Sequence, residues 1–269
     1  MSKTLILSDI HNNYNLAETI ISKVKPDLTI QLGDAFDDFD DTYEMIAETA
    51  EWFHYSINQK NRIHIAGNHD VHYWFKDNPN VRCSGYEQAK SIVINNRIKP
   101  EDWNKLKFFY VLDDWILSHA GVHPYWIDPV KERNGEDIII TKDTLVKKLE
   151  RDAPECVKQL KNKRSHWFEI CGHARSHASP FVGGIIWLDF NYEFTPIRGI
   201  HQIVGHTPSD KIRWRIMKEN DNAVYAPEGA EPELNEKTSF NVCFDSSPTL
   251  KWCAIYEDKS LKIIETKNL

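Results

Sequence analysis

The sequence predicts an α/β fold whose first half is a largely parallel sheet with a site at one edge. Apolar runs alternate with amphipathic stretches in the order β-α-β-α-β, which favours parallel strands connected by helices. Acidic or histidine-rich turns follow the apolar runs, at the edge where ligands collect in such sheets. The 269 residues are enough to bury a large core, and we interpret 1–269 as a single domain.

The elements of the first half follow from the spacing of apolar residues. Leu16, Ile20 and Val24 recur at i, i+4 and i+8, which predicts an amphipathic helix directly after the first strand. The elements predicted for this half are strands at 3–8, 27–32 and 62–66 and helices at 13–24 and about 42–57.

The second half is predicted to be rich in strands. The stretch FFYVLDDWILSHAGVHP resembles a hairpin whose second strand is Trp115–Ser118. A helical pattern at 141–163 carries Lys and Arg side chains, and Pro154 is expected to split it in two. The later apolar runs predicted as strands are GGIIWLDF, HQIVGHTP, KIRWRIMK, SFNVCFD, KWCAIYED and SLKIIET.

Composition and charge exclude several classes of protein. The chain is 41% apolar, 12% aromatic and 27% charged, which is typical of a folded globular protein. Its net charge of -7 argues against binding nucleic acid through bulk charge. Without a run of transmembrane length or the order of a signal peptide, the chain is expected to be cytoplasmic with no membrane partner. The five cysteines contain no C-x-x-C pair, so neither a disulfide framework nor a thiolate zinc site is predicted.

The turns at the strand ends offer metal ligands. Asp9 and His11 are separated by one residue, so both can turn toward the same point after the first strand. The other strand ends add Asp34, Asn68, His69, His119 and His206. Carboxylate, imidazole and amide groups suit Mn, Fe, Zn or Ni, and a bridging carboxylate would let them hold two ions. Two such ions can activate water for an in-line displacement, so the chemistry indicated is phosphate-ester hydrolysis.

Five motifs carry a family resemblance: SDIHNN, GDAFDD, GNHD, SHAG and QIVGHTP, in that order. They resemble the calcineurin-like metallophosphoesterases. Their spacing is similar to the phosphoprotein phosphatase branch, which includes bacterial and phage protein phosphatases and diadenosine tetraphosphatases. SFNVCFDSS extends the resemblance over 5–245. The resemblance implies a four-layer α-β-β-α sandwich of two mixed sheets, with a helical cap inserted at about 123–179.

The family resemblance also implies roles for individual residues. The implied ligands of two divalent or trivalent ions are Asp9, His11, Asp34, Asn68, His119 and His206. Asp34 would bridge the ions, for which manganese is the first choice and iron, zinc or nickel the alternatives. A hydroxide bridging the metals would attack phosphorus. His69 would protonate the leaving oxygen, with Asp37 keeping the ring oriented and charged.

Three arginines that clamp phosphate in the phosphoprotein phosphatases are missing. Their places hold Asp38, Ala66 and the pair Leu188-Asp189 that follows Trp187. Because a bidentate arginine is a major source of phosphate recognition, a monoester dianion should bind less well here than in typical members. A phosphodiester carries less negative charge, so the missing arginines should weaken its binding less.

Other cations and histidines are candidates for substrate binding. Arg175 lies where the family often has an arginine before paired glycines, and His173 is near it in sequence. Lys211, Arg213 and Arg215 alternate along one strand face, for which a solvated outer surface is the simpler interpretation and a cleft lining the alternative.

The function expected from the sequence is that of a phosphomonoesterase similar to the serine/threonine protein phosphatases. The substrate would be a phosphorylated small molecule, a nucleotide or a phosphoprotein. The alternatives are a phosphodiesterase, a dinucleoside polyphosphate hydrolase, and a non-catalytic scaffold with the same fold. The complete set of ligand residues argues against the scaffold.

Overall fold

Two mixed β-sheets form the centre of a computed structural model that describes residues 2–127, 140–218, 224–226 and 238–269, with 224–226 as backbone. The strands are β1 (Thr4–Leu7), β2 (Leu28–Gln31), β3 (Arg62–His64), β4 (Phe109–Leu112), β5 (Trp115–Ser118), β6 (His201–Val204), β7 (Arg213–Met217), β8 (Val224–Ala226), β9 (Ser239–Cys243), β10 (Trp252–Glu257) and β11 (Ser260–Glu265). The helices are α1 (Tyr14–Val24), α2 (Tyr43–Ile57), α3 (Asn68–Trp74), α4 (Gln88–Asn95), α5 (Pro100–Trp103), α6 (Pro124–Ile127) and α7 (Lys142–Lys161). Short 3-10 turns lie at Pro79–Val81, Trp167–Glu169 and Thr266–Asn268.

Each sheet contains three neighbouring parallel strands. Within the described residues the first sheet has the order β11-β10-β1-β2-β3, and the second has the order β4-β5-β6-β9-β7-β8. β1 pairs parallel with β2 and β2 with β3, while β5, β6 and β9 form the parallel part of the second sheet. The turns that follow β1, β2, β3, β5 and β6 carry the predicted metal ligands and the proposed acid.

Alternation along β1 explains how the layers stack. Ile6 is buried between the sheets together with Leu117 of β5 and Ile203 of β6. Leu5 and Leu7 belong instead to the core that includes the apolar faces of α1 and α2. Because successive strand residues point to opposite faces, both faces of β1 are covered. The fold is therefore the expected α/β sandwich of two mixed sheets with helices outside them.

The prediction that Pro154 splits the helical stretch is wrong, because α7 runs through it without a break. An interior proline costs about 3 kcal/mol through a lost hydrogen bond and a clash. The apolar stripe that α7 buries consists of Leu145, Leu149, Cys156 and Leu160. Burial of one large apolar side chain is worth about 1.5–3 kcal/mol, so the stripe outweighs the proline.

The strand predicted for GGIIWLDF is also wrong, since the structure has turns there. Ile185, Ile186 and Leu188 are fully buried, which explains the apolar run. The backbone bonds are those of a turn, with Leu188 N donating to Gly184 O at 2.9 Å. An unbroken apolar run predicts burial, and periodicity alone does not say which backbone form is buried.

The predicted cap at about 123–179 contains residues 128–139, which lie outside the described part of the chain, so the cap stays a prediction. Among the described helices, none combines the length and the apolar character needed to cross a membrane.

Candidate metal centre

Three of the predicted ligands lie on left-handed turns at the ends of their strands. His11, Asp34 and His206 have φ values of 42°, 51° and 66°. Such backbone angles are uncommon for residues other than glycine, and each costs about 1–3 kcal/mol. Their occurrence at one edge of the sandwich indicates that these turns are shaped to aim side chains at a common point.

Glycines allow the turns to approach the ligands closely. Gly33, with φ of 121°, passes so near His119 that a Cβ atom would lie 2.5 Å from Nδ1 of that ring. A Cβ atom on Gly205 would overlap Oδ1 of Asp9. Both turns therefore require glycine for space, and Gly33 also for its backbone angle.

Four lone-pair atoms crowd around a single point. His119 Nε2 lies 3.0 Å from His206 Nδ1, 3.1 Å from Asn68 Oδ1 and 3.4 Å from Asp34 Oδ2. All four side chains are buried. One ring hydrogen cannot satisfy three acceptors with good geometry. A cation among them would satisfy all of them, because each offers a lone pair.

The second nitrogen of His119 is held by the backbone. Nδ1 lies 3.0 Å from the carbonyl oxygen of Leu32, a bond that turns Nε2 toward the other ligands. Burial lowers the pKa of His119, but Asp34 and Asp9 raise it to about 9. Burial and the charge of His119 hold the pKa of His206 well below its usual value. His206 is therefore neutral at pH 7, which is the form that binds a metal.

A second group of ligand atoms lies beside the first. Side-chain atoms of Asp9, His11 and Asp34 are all within 4.8 Å of one another. His11 Nε2 is 3.8 Å from Asp34 Oδ2, and its Nδ1 contacts the backbone carbonyls of Phe36, at 3.1 Å, and Asp37. The structure thus brings the six predicted ligands into two groups that share Asp34.

Buried carboxylates give this region an excess of negative charge. Burial raises the pKa of Asp9 well above its usual value, and Asp245 raises it further. Asp245 is fully buried and was identified in the sequence only as the end of a strand. Burying carboxylates side by side is unfavourable without a counter-charge. Together with the lone-pair atoms gathered around His119 Nε2, the donor set therefore fits divalent cations.

Sequence reasoning missed the role of Asp70. Its carboxylate accepts hydrogen bonds from the backbone N–H groups of Asp34 at 2.8 Å, Ala35 at 2.9 Å and Gly67 at 2.8 Å. These bonds fasten the turn after β2 to the turn after β3. The signal in the sequence was the aspartate that closes GNHD, which we had not interpreted.

His69 pairs with Asp37, as the resemblance implied. Nδ1 of His69 is 2.9 Å from Asp37 Oδ2, and its backbone N–H donates to Asp34 Oδ1 at 2.9 Å. Burial lowers the pKa of His69, but Asp34 and Asp37 together raise it well above its usual value. The ring is therefore protonated at neutral pH.

Three further side chains hold the Asp37 carboxylate. The Tyr73 hydroxyl donates to Oδ1 at 2.6 Å, Lys90 Nζ lies 3.4 Å from Oδ1, and His72 Nε2 lies 3.0 Å from Oδ2. Burial raises the pKa of Asp37, but the nearby imidazoles of His69 and His72 bring it far below its usual value. Neither Lys90 nor His72 was among the predicted site residues.

A family model for the calcineurin-like phosphoesterases matches residues 2–210. The chain belongs to this family. It is a phosphoesterase, as the motifs indicated. No curated protein matches the chain.

Among solved structures, the fold is similar to a cold-active protein-tyrosine phosphatase of a psychrophilic Shewanella species. The TM-score is 0.55 at 16% identity, covering 100% of this chain and 79% of the other. Another structure titled as cold-active protein tyrosine phosphatase gives a TM-score of 0.56 at 16% identity, with 100% and 78% coverage. A serine/threonine phosphatase from Saccharomyces cerevisiae, at 12% identity with 98% and 79% coverage, has a TM-score of 0.46. At these identities the first two likenesses show a shared fold.

Arg175, the candidate phosphate ligand of this calcineurin-like chain, lies next to the metal centre. Its Nε is 2.9 Å from Asp189 Oδ2, and its Nη2 contacts Thr207 Oγ1 at 3.2 Å and the His206 carbonyl at 3.4 Å. The guanidinium is thus beside a predicted ligand but already paired with a carboxylate. His173, 54% exposed, is held by Glu193 at 3.1 Å.

The alternating cations of β7 support a loop of this calcineurin-like fold. Arg213 donates to Asn191 Oδ1 at 2.8 Å and to the Thr207 carbonyl, and Arg215 donates to the Asn191 carbonyl at 2.7 Å. Both guanidinium groups lie 5.7 Å from the centre of the Phe190 ring. These arginines therefore fix the loop near Asp189, which in turn holds Arg175.

Proposed function

We propose that this chain is a metal-dependent phosphomonoesterase similar to the serine/threonine protein phosphatases, acting on a phosphorylated small molecule, a nucleotide or a phosphoprotein. The proposed ligands of two ions, with manganese the first choice, are Asp9, His11, Asp34, Asn68, His119 and His206. The observation that carries the proposal is the convergence of three buried ligand atoms on His119 Nε2 at 3.0–3.4 Å.

The chain's own residues divide the catalytic work. When bound, the two ions would supply Lewis-acid chemistry, acidifying the attacking water and withdrawing charge from phosphate oxygens. His69 has Nδ1 against Asp37, so Nε2 is left to carry the proton for the leaving group. As the bond from phosphorus to the leaving oxygen breaks, His69 gives this proton to that oxygen. Asp37 stays ionised and holds the imidazolium in place.

Phosphodiester hydrolysis is the second candidate, and the state of Arg175 favours it. Three family arginines are replaced by Asp38, Ala66 and Leu188-Asp189, and Arg175 is paired with Asp189 at 2.9 Å. A monoester dianion must compete with that carboxylate for the guanidinium. A diester monoanion depends less on it. Hydrolysis of dinucleoside polyphosphates is a further alternative on the same reasoning.

The test compares 4-nitrophenyl phosphate with bis(4-nitrophenyl) phosphate, using metal-stripped protein reloaded with manganese. His69→Ala and Asp9→Ala are the controls. Preferred hydrolysis of the monoester that is lost in both controls supports the proposal, and preference for the diester favours the second candidate. If neither ester nor a dinucleoside polyphosphate is turned over in a metal-dependent way, the result favours the scaffold alternative.

A further inference from the structure

A thiol and two imidazoles lie together behind the proposed catalytic acid. Ligand atoms of His69, His72 and Cys83 are all within 4.8 Å of one another. Cys83 Sγ is 3.1 Å from His72 Nδ1. Among the described residues, this is the only group of possible metal ligands that includes a cysteine. Sequence pattern does not reveal this group, because Cys83 and the two histidines lack the spacing of a zinc motif.

The buried ring of His72 has no well-formed hydrogen bond other than its contact with this sulfur. The side chain is fully buried, and its Nε2 lies 3.0 Å from Asp37 Oδ2 without hydrogen-bond alignment. A thiol is a weak hydrogen-bond donor and acceptor. A buried imidazole whose two nitrogens meet only a thiol and a misaligned carboxylate is thus poorly satisfied, unless something binds between the thiol and the ring.

We propose that His69, His72 and Cys83 form a third cation site, which takes a thiophilic divalent ion such as Zn²⁺. Zinc binds thiolate at about 2.3 Å and imidazole nitrogen at about 2.0–2.1 Å, which places ligand atoms of a tetrahedral site about 3.5 Å apart. The spacing of Cys83 and His72 is within about half an ångström of that value. On binding, the thiol releases its proton to solvent and the thiolate becomes the ligand.

The surroundings match what metal-bound histidines need. With Nδ1 of His72 facing the sulfur, its other nitrogen is beside the Asp37 carboxylate, the group that commonly orients a metal-binding ring. Cys83 and His69 are only partly buried, so an ion can enter from solvent. The thiolate ligand makes this site selective for softer ions. The candidate metal centre has oxygen and nitrogen ligands and suits manganese instead.

An ion at this site would prevent His69 from acting as the general acid. It would take a ring lone pair that the proposed acid needs for its proton. This consequence rests on the proposed function, whereas the binding of the ion does not. The third site would therefore be inhibitory, and activity would fall as zinc fills it.

Cadmium absorption tests the binding directly. Full-length protein loaded with manganese is titrated with Cd²⁺, and ultraviolet absorption from thiolate-to-cadmium charge transfer is recorded. One equivalent should saturate the signal. Cys83→Ser should abolish it, and His72→Gln should weaken the affinity at least tenfold. Cys171→Ser, which replaces another partly buried free thiol, is the matched control and should keep it. No signal in the unmodified protein, or a signal that survives Cys83→Ser, would overturn the site.

Zinc inhibition then tests the consequence separately. Each manganese-loaded variant is compared with its own rate without zinc. Cys83→Ser should need at least tenfold more Zn²⁺ for half-inhibition than Cys171→Ser. If Cys83 binds cadmium but does not change zinc inhibition, the site stands and the proposed role of His69 is overturned.

Discussion

His69 Nδ1 lies 2.9 Å from Asp37 Oδ2, a contact that holds the ring while its other nitrogen remains available. We predict that His69→Asn lowers kcat by about 10²–10⁴-fold, the usual contribution of a general acid. The loss should be greater for phenyl phosphate than for 4-nitrophenyl phosphate, because a poor leaving group depends more on protonation. Rates for a series of aryl phosphates measure this.

The matched variant for His69 is Asp37→Asn. It should produce the same dependence on the leaving group with a smaller loss, since the ring stays but loses its orientation and charge. Equal losses across the aryl series in both variants would show that His69 is not the acid.

Asp9→Asn should have opposite effects on stability with and without metal. Burial and Asp245 raise the pKa of Asp9, so its charge destabilises the metal-free protein at pH 7.5. The variant should therefore melt at a higher temperature than the parent after chelation. It should lose the stabilisation by manganese, which is about 2.7 kcal/mol at an ion concentration of about 100 Kd.

Thermal melting and metal content per chain check the Asp9 prediction. Asp27→Asn, at an exposed position, is the matched control and should change neither quantity. A metal-free Asp9→Asn protein that is less stable than the parent would contradict the prediction that the charge of Asp9 destabilises the metal-free fold.

Arg175→Ala should weaken monoester hydrolysis more than diester hydrolysis. A hydrogen bond to a charged group is worth about 1.5–3 kcal/mol, which corresponds to about 10- to 100-fold in kcat/KM for the monoester. Arg175→Lys should not restore the rate, because lysine lacks the planar fork. Asp189→Asn should raise kcat/KM for the monoester, because it frees the Arg175 guanidinium. If the ratio of monoester to diester kcat/KM is unchanged in all three variants, Arg175 does not bind the substrate.

His64 should make the protein sensitive to mild acid. Burial and the nearby Arg62 lower the pKa of this ring to about 3, whereas the unfolded chain titrates near about 6.5. Below about pH 6.5 His64 binds a proton in the unfolded state but stays neutral in the folded state, so stability falls as pH decreases. From His64 alone the loss by pH 5 is about 2 kcal/mol.

Urea unfolding of metal-free protein between pH 7.5 and 5 measures this loss. His64→Gln should flatten the slope, and the matched replacement is His54→Gln on helix α2, where the His54 side chain is 40% exposed. The remaining slope combines losses from other histidines whose burial lowers their pKa, such as His201, with opposite contributions from groups whose pKa is raised, such as Asp9 and His119. A slope unaffected by His64→Gln would contradict the prediction.

The first half of the fold could be predicted because local pattern and tertiary structure agree there. All of its predicted elements are present with ends within two residues. Helices α3 and α4 are present in the structure but were not predicted. They begin inside or beyond site motifs, where ligand residues conceal the apolar period. Pro154 and GGIIWLDF were misinterpreted because burial by distant parts of the chain decided the local structure.

The candidate ligands could be identified because each follows an apolar strand within a distinctive turn. The residues around them could not be, since Asp70, Lys90 and Cys83 act through contacts across the fold. Lys90, for example, reaches Asp41 at 2.9 Å over 49 positions. Sequence periodicity carries no information about such pairs.

The pairing of β1 with β10 determines the order in which the centre can be completed during synthesis. Thr4 to Leu7 are opposite Tyr256 to Cys253, so one edge of β1 stays open until residues made about 250 positions later have left the ribosome. Until then the backbone before Asp9 has β2 on one side and an open edge on the other. Contacts between distant segments form slowly because a long loop must close first. A nascent chain stopped before residue 252 would thus carry all six candidate ligands on an unfinished sheet.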